Sequence, residues 1–254
     1  MTIYFSELRS PQVQQAADAN AAVVLPVGQV EEHGRHLPLK TDLLITERVS
    51  EEAVRQAAQE LPCFVLDPII YGYSGATMKS WPGTFVVPQK TLAGVIKSVL
   101  ISLADMGFRK MVAVSGHGNH VGVLRSVARE VADETSVGPG VVFPYSFGAE
   151  LLEEHGRGGP GSSCHGGEFE TSLMLHLAPE LVEMTETTDE DRIRNEFPYS
   201  SNQAFVSTWT RQQSQNGIYG DPTVARAELG ELAFDRMVSE TAGFIRHYYE
   251  LEQV

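Results

Sequence analysis

"AAVVLPVGQVEEHGRHLPLKTD", residues 21–42, runs from an unbroken apolar segment straight into a crowd of acids and histidines. The apolar part, 21–27, is short and rich in β-branched residues, the pattern of a strand buried on both faces. Working outward, runs of the same kind recur as "CFVLDPI" (63–69), "KMVAVSG" (110–116) and "GVVFPYS" (140–146), each bounded by turn residues. Helical periodicity fills the intervals, at about 44–60, 88–107 and 120–133. This alternation predicts an α/β fold, a largely parallel sheet covered by helices on both faces. "GRGGPGSSCHGG" (156–167) reads as a functional loop rather than a linker, because helical periodicity resumes at once in "EFETSLMLHL" (168–177). A less regular stretch at about 179–222 precedes a final helix at about 224–252, and one domain spanning 1–254 is expected.

The chain has 254 residues and 42% hydrophobic content, enough for a sizeable core. Its formal charge of −14 repels nucleic acid and anionic membranes, so neither is an expected partner. The N-terminal "MTIYFSELRSPQVQQ" lacks the basic flank and apolar core of a signal peptide, and no run approaches the roughly 18 apolar residues of a membrane span. Cys63 and Cys164 are the only thiols, too few for a disulfide framework. A cytoplasmic protein is the expectation.

In open α/β sheets, ligands bind beyond the carboxyl ends of the strands. Three polar clusters fall there or at a loop-to-helix junction: "EEHGRH" (31–36), "SGHGNH" (115–120) and "CHGGEFET" (164–171). In extended backbone, residues i and i+2 share a side, so Glu31 and His33 address one point while Glu32 faces away. Asp42 reaches the same point if "GRHLPLKT" (34–41) loops back, and His117, between glycines, offers a further imidazole. Mixed imidazole and carboxylate groups of this kind suit a divalent metal. Plainer readings compete. His33 and His36 also read as loop histidines, Asn119 as the cap of a following helix, and Glu168 and Glu170 as acids favouring a helix N-terminus. Phe169, Leu173, Met174 and Leu177 read as core, and His155, His176 and His247 as structural.

Taken in order, "LPVGQVEEHGRHLPLKTD" (25–42), "WPGT" (81–84), "SGHGNH", "HGGEFETSLML" (165–175) and "GIYGDPTVARAELGE" (217–231) resemble the creatininase (creatinine amidohydrolase) family along nearly the whole chain. The resemblance implies a three-layer αβα fold, a site for two divalent metal ions, and hydrolysis of an amide, often a cyclic one. Relatives include deformylases and a peptide-cleaving maturation enzyme. Carried over by position, it makes Glu31 and His117 ligands of one metal, His33 a ligand of the second, and Asp42 the bridge between them. Creatininase has a glutamate two residues after the histidine matching His117, whereas this chain has Asn119; Glu170, in the shared "E-T-S" segment, is the residue expected to complete that site. His165 matches the histidine that handles the proton of the substrate or leaving nitrogen.

The chemistry so implied is a bridging water acidified by the two cations, attack on a carbonyl polarised by them, and His165 as general acid. Zinc, manganese and iron all accept this ligand set. The tryptophans that sandwich creatinine are missing: Gly161 stands at one position and Ser146 near the other, and the segment between "YGYSG" (71–75) and "WPGT" is short. Some other small amide, lactam or formamide is therefore the expected substrate, with Tyr73, Trp81 and Arg35 as candidate contacts. The family's ring-like hexamers imply a homo-oligomer. Two alternatives stand beside this reading. One is a lactone hydrolase using the same site, and the other, prompted by Asn119, is a catalytically silent metal-binding or assembly protein.

Overall fold

Six consecutive buried residues form β1 (Ala22–Val27), whose alternate side chains serve two cores. In this computed structural model, which describes residues 2–75, 78–159, 162–188 and 214–252, β1 follows a short helix, α1 (Ser10–Asp18). It pairs in parallel with β2 (Cys63–Val65) on one side and β3 (Lys110–Ser115) on the other, and β3 pairs in parallel with β4 (Gly140–Val142). The sheet order is β2-β1-β3-β4. From β1 the chain runs out to one edge, and from β3 to the other, so the strand order reverses between the carboxyl ends of β1 and β3. That crevice is where open parallel sheets place their ligands.

Helices cover both faces. On one, Val23, Leu25 and Val27 pack against Leu92, Ile96 and Leu100 of α3 (Gln89–Asp105) and Leu124, Val127 and Val131 of α4 (Val121–Thr135). On the other, Ala22 and Val24 meet Ala53, Val54 and Ala57 of α2 (Thr41–Ala57) and Ala242, Ile245 and Tyr248 of α8 (Ala227–Glu250). Each fully buried Leu or Ile contributes about 1.5–3 kcal/mol. Two short helices, α5 (Tyr145–Ala149) and α6 (Leu151–His155), lead to α7 (Glu168–Leu177). There Phe169, Leu173 and Met174 pack with Ile45 and Val49 of α2 and Met237 of α8 in a further core. This is the three-layer αβα arrangement. No helix among the described residues is long and apolar enough to cross a membrane.

Several elements differ from the sequence expectation for local reasons. β2 ends at Val65 because Pro68 cannot donate to a ladder, and Ile69 returns only as an isolated bridge to Val27. β4 ends at Val142, since Pro144 directs residues 145–149 into α5 instead of a continued strand. α2 starts at Thr41 rather than near 44, so Asp42, just beyond the 34–41 segment, lies in the first turn of the helix. Asn119 is not a helix cap: it sits in a 3-10 turn (Gly118–His120) before α4, which has no side-chain cap, and its Nδ2 lies 3.2 Å from His117 Nε2.

Gly116 joins β3 to the polar turn at His117 and touches the start of α2. A β-carbon there would overlap Thr46 Oγ1 and stand 3.1 Å from the Asp42 carbonyl oxygen. Gly116→Ala is thus expected to lower stability by about 1–3 kcal/mol, the usual range for overpacking, as measured by urea unfolding. An unchanged midpoint would contradict this packing.

Candidate metal centre

Four elements deliver the five site residues. β1 runs out to Glu31 and His33, β3 to His117, the first turn of α2 carries Asp42 and the first turn of α7 carries Glu170. Asp42 lies at the middle: its Oδ2 is 2.9 Å from His117 Nδ1, while its Oδ1 is 3.4 Å from His33 Nε2. Glu31 Oε1 is 3.6 Å from His117 Nδ1, and Glu170 Oε2 is 3.7 Å from His33 Nε2. The ligand-type atoms of Glu31, Asp42 and His117 all lie within 4.8 Å of one another, as do those of His33, Asp42 and Glu170. Asp42 belongs to both groups through different oxygens. A further group of this kind joins Glu31, His33 and His165.

Buried polar atoms are almost always satisfied, because leaving one without a partner costs about 1–3 kcal/mol. Yet among the described residues Glu31 Oε1 and His33 Nε2 are buried with no hydrogen-bond partner. Both face the shared space of these groups. Unpaired carboxylate oxygen and imidazole nitrogen, converging among buried side chains, fit divalent cations of the zinc, manganese or iron type.

Without a cation the site balances its own charge. Burial disfavours protonation of His33, but Asp42, Glu170 and Glu31 outweigh it and carry the imidazole up to about 10. His117 follows the same logic, rising to about 9 against burial through Glu31 and Asp42. Burial would raise Asp42, but His33 and His117 hold it far below the usual carboxylate range. Burial and the Asp42 charge instead raise Glu170, and His33 offsets them only in part. A cation bound here takes over from these imidazole protons, so its binding releases protons.

His165 sits beside the groups. Its Nε2 is 2.7 Å from the backbone oxygen of Glu32 and 3.4 Å from the Glu32 carboxylate, and its Nδ1 is 3.5 Å from Glu31 Oε1. The Glu32 carbonyl accepts the Nε2 proton, which leaves Nδ1 facing the site. The "GIYGDP" loop fixes this segment from outside: Tyr219 N–H donates to the His165 carbonyl (2.7 Å) and Asp221 N–H to that of Ser162 (2.8 Å).

Other polar residues of the motifs have structural work. Glu168 accepts from the backbone N–H of Arg157 and Gly158 and from the Ser162 hydroxyl, at 2.7–3.0 Å, and belongs to none of the metal-type groups. His36 bonds Thr171 Oγ1 (2.8 Å), and burial, then the His33 charge, lowers its pKa to about 4. Tyr73, a candidate substrate contact, packs against the core beside β1. Arg35 and Ser146 are exposed, Trp81 is half-buried, and Gly161 lies outside the described residues. Sequence reasoning missed Ser74, whose hydroxyl bonds Glu31 Oε2, and Tyr145, whose hydroxyl lies 3.3 Å from Asp42 Oδ1. No spacing rule signals either, because both meet their partners only through the fold.

With this fold and this convergence of ligand-type groups, the chain belongs to the creatininase family: it matches the family described as creatinine amidohydrolase over residues 6–245. It is 32% identical to the mycofactocin precursor peptide peptidase of Mycolicibacterium smegmatis over 236 residues, covering 89% of this chain and 85% of that protein. It is 27% identical to creatinine amidohydrolase of Pseudomonas putida, with 98% of each covered. A solved creatininase with Mn superposes with a TM-score of 0.84 at 25% identity, covering 99% of this chain and 100% of the other.

Proposed function

We propose that this creatininase-family hydrolase is a metal-dependent amidohydrolase that cleaves a C–N bond of a small molecule other than creatinine. The observation that carries the reading is the position of Asp42, one carboxylate shared by two ligand groups through its two oxygens. Glu31, Asp42 and His117 would hold one cation and His33, Asp42 and Glu170 the other. When bound, such a pair acidifies water and polarises a carbonyl.

The rest is done by the chain. Burial of Glu31, His33 and Asp42 keeps bulk water from screening the charges that develop during reaction. The Glu32 carbonyl holds His165 with Nδ1 towards the site, where that atom takes up the proton released by the attacking water and passes it to the leaving nitrogen as the C–N bond breaks. Asn119, exposed and lying against His117 Nε2, contributes no charge, and Glu170 takes the acidic place instead. Glu170→Gln is accordingly expected to halve metal content, emptying the group built on His33. Retention of both metals, measured by mass spectrometry of the loaded protein, would return that place to Asn119 or Glu168.

Metal content measured beside turnover tests the reading. Protein loaded with zinc or manganese is offered cyclic amides, N-formyl compounds, lactones and short peptides, and hydrolysis of an amide-type substrate is expected. Bound metal with no turnover across that panel would favour the silent alternative, and lactone cleavage alone the ester reading. A peptide substrate has one observation in its favour, the 32% identity to a peptidase. A homo-oligomeric, cytoplasmic enzyme completes the reading, its assembly checked by light scattering.

A further inference from the structure

The Ser74 hydroxyl donates to Glu31 Oε2, and the Tyr145 hydroxyl donates to Asp42 Oδ1 at 3.3 Å. These two contacts reach the carboxylates from opposite parts of the chain, one from the segment after β2 and one from the start of α5. Neither residue belongs to the metal-type groups. Each hydroxyl occupies a single oxygen of its carboxylate. For Glu31 the oxygen left over is Oε1, the buried atom without a partner, 3.6 Å from His117 Nδ1. For Asp42 the other oxygen is Oδ2, 2.9 Å from the same nitrogen, while Oδ1 keeps a second lone pair for the His33 side, 3.4 Å from Nε2.

Both donors are held from behind. Ser74 is 1% exposed, and the backbone leading to it is pinned twice: Gly72 N–H donates to Gln29 Oε1 at 2.8 Å, and Tyr73 N–H donates to His120 Nε2 at 3.0 Å. Gln29 is itself buried at the end of β1 and donates to the Phe85 carbonyl at 2.7 Å. At Gly72 a β-carbon would overlap the His120 ring, so this segment lies against His120 with no room between. Tyr145 is clamped by its rings: it stacks on Phe143 at 5.5 Å and meets the edge of Phe169 at 5.9 Å. A donor fixed in this way selects one rotamer of the carboxylate before any ligand arrives, which lowers the entropy lost on binding.

We infer that Ser74 and Tyr145 are positioning residues that aim Glu31 and Asp42 at the cation beside His117. The inference rests on the metal-hydrolase reading above. Hydrogen-bond partners that orient ligating groups typically change metal affinity or activity by about 10–100-fold when removed. Their work is separate from holding the fold together, because each variant deletes one oxygen and leaves the surrounding packing in place.

The test uses the whole chain, stripped of metal by chelation and titrated with cobalt(II) and with zinc against a chromophoric competitor. Ser74→Ala and Tyr145→Phe are each expected to weaken binding at one of the two sites by about 10–100-fold and to shift the visible absorption bands of the cobalt form. The bands report ligand geometry directly, so a general loss of packing would not mimic the shift. Wild-type affinity and unchanged bands in both variants would overturn the inference while leaving the metal site intact. A wild-type chain that binds neither metal would overturn the functional reading and this inference with it. Tyr145→Phe keeps the ring contacts and remains decisive if Ser74→Ala fails to fold.

Discussion

Asp42→Asn is expected to abolish hydrolysis and to leave the protein with less than half its metal. Asparagine preserves the size of the side chain and its place in the first turn of α2, so the fold should survive. What it removes is the charge that both ligand groups share, presented to His33 through Oδ1 and to His117 through Oδ2. A neutral amide is a far weaker ligand for a hard divalent cation, and its NH₂ end turns a donor towards one of the two groups. Glu31→Gln should act in the same direction on the group containing His117 but spare the one built on His33 and Glu170. Metal analysis beside turnover separates these outcomes. An Asp42→Asn protein with full metal and ordinary activity would mean that Asp42 bridges nothing.

The second large effect is kinetic. His165→Ala should retain the metal while slowing turnover by roughly 10²–10⁴, the usual contribution of a positioned general acid. Its Nε2 is committed to the Glu32 carbonyl, and the nitrogen facing the site is 3.5 Å from a Glu31 oxygen. That proximity also places His165 in a ligand-type group with Glu31 and His33. The variant separates the two roles: loss of rate with metal retained marks a proton carrier, whereas loss of metal marks a ligand. Substrates with better leaving groups should suffer less from the mutation, since they need less help from a proton.

The parts of this molecule that sequence disclosed are those in which one physical cause acts locally. β1 and β3 were legible because continuous burial demands continuous apolar residues, and the ligand-binding end of the sheet followed from the polar clusters at their carboxyl ends; the strand order did not. Glu31 and His33 shared a side through the two-residue period of extended chain. The same approach extended β2 and β4 too far, because Pro68 and Pro144 were not weighed against the apolar pattern. It also started α2 near 44 rather than at Thr41, since "GRHLPLKT" carries no strong helix start signal. The choice of Glu170 over Glu168 was not available from periodicity. Both lie in the first turn of α7, and only the fold turns Glu168 back to the N–H groups of residues 157–158. Ser74, Tyr145 and the Glu32 carbonyl were invisible for a related reason: each acts through a contact between segments far apart in the chain.

A crystal of the zinc- or manganese-loaded protein, measured at the metal's absorption edge, addresses the central claim most directly. Two anomalous peaks are predicted, on either side of the Asp42 carboxylate, one among Glu31 and His117 and the other among His33 and Glu170. An empty cavity at saturating metal, or a lone peak away from Asp42 with those side chains turned apart, would contradict it.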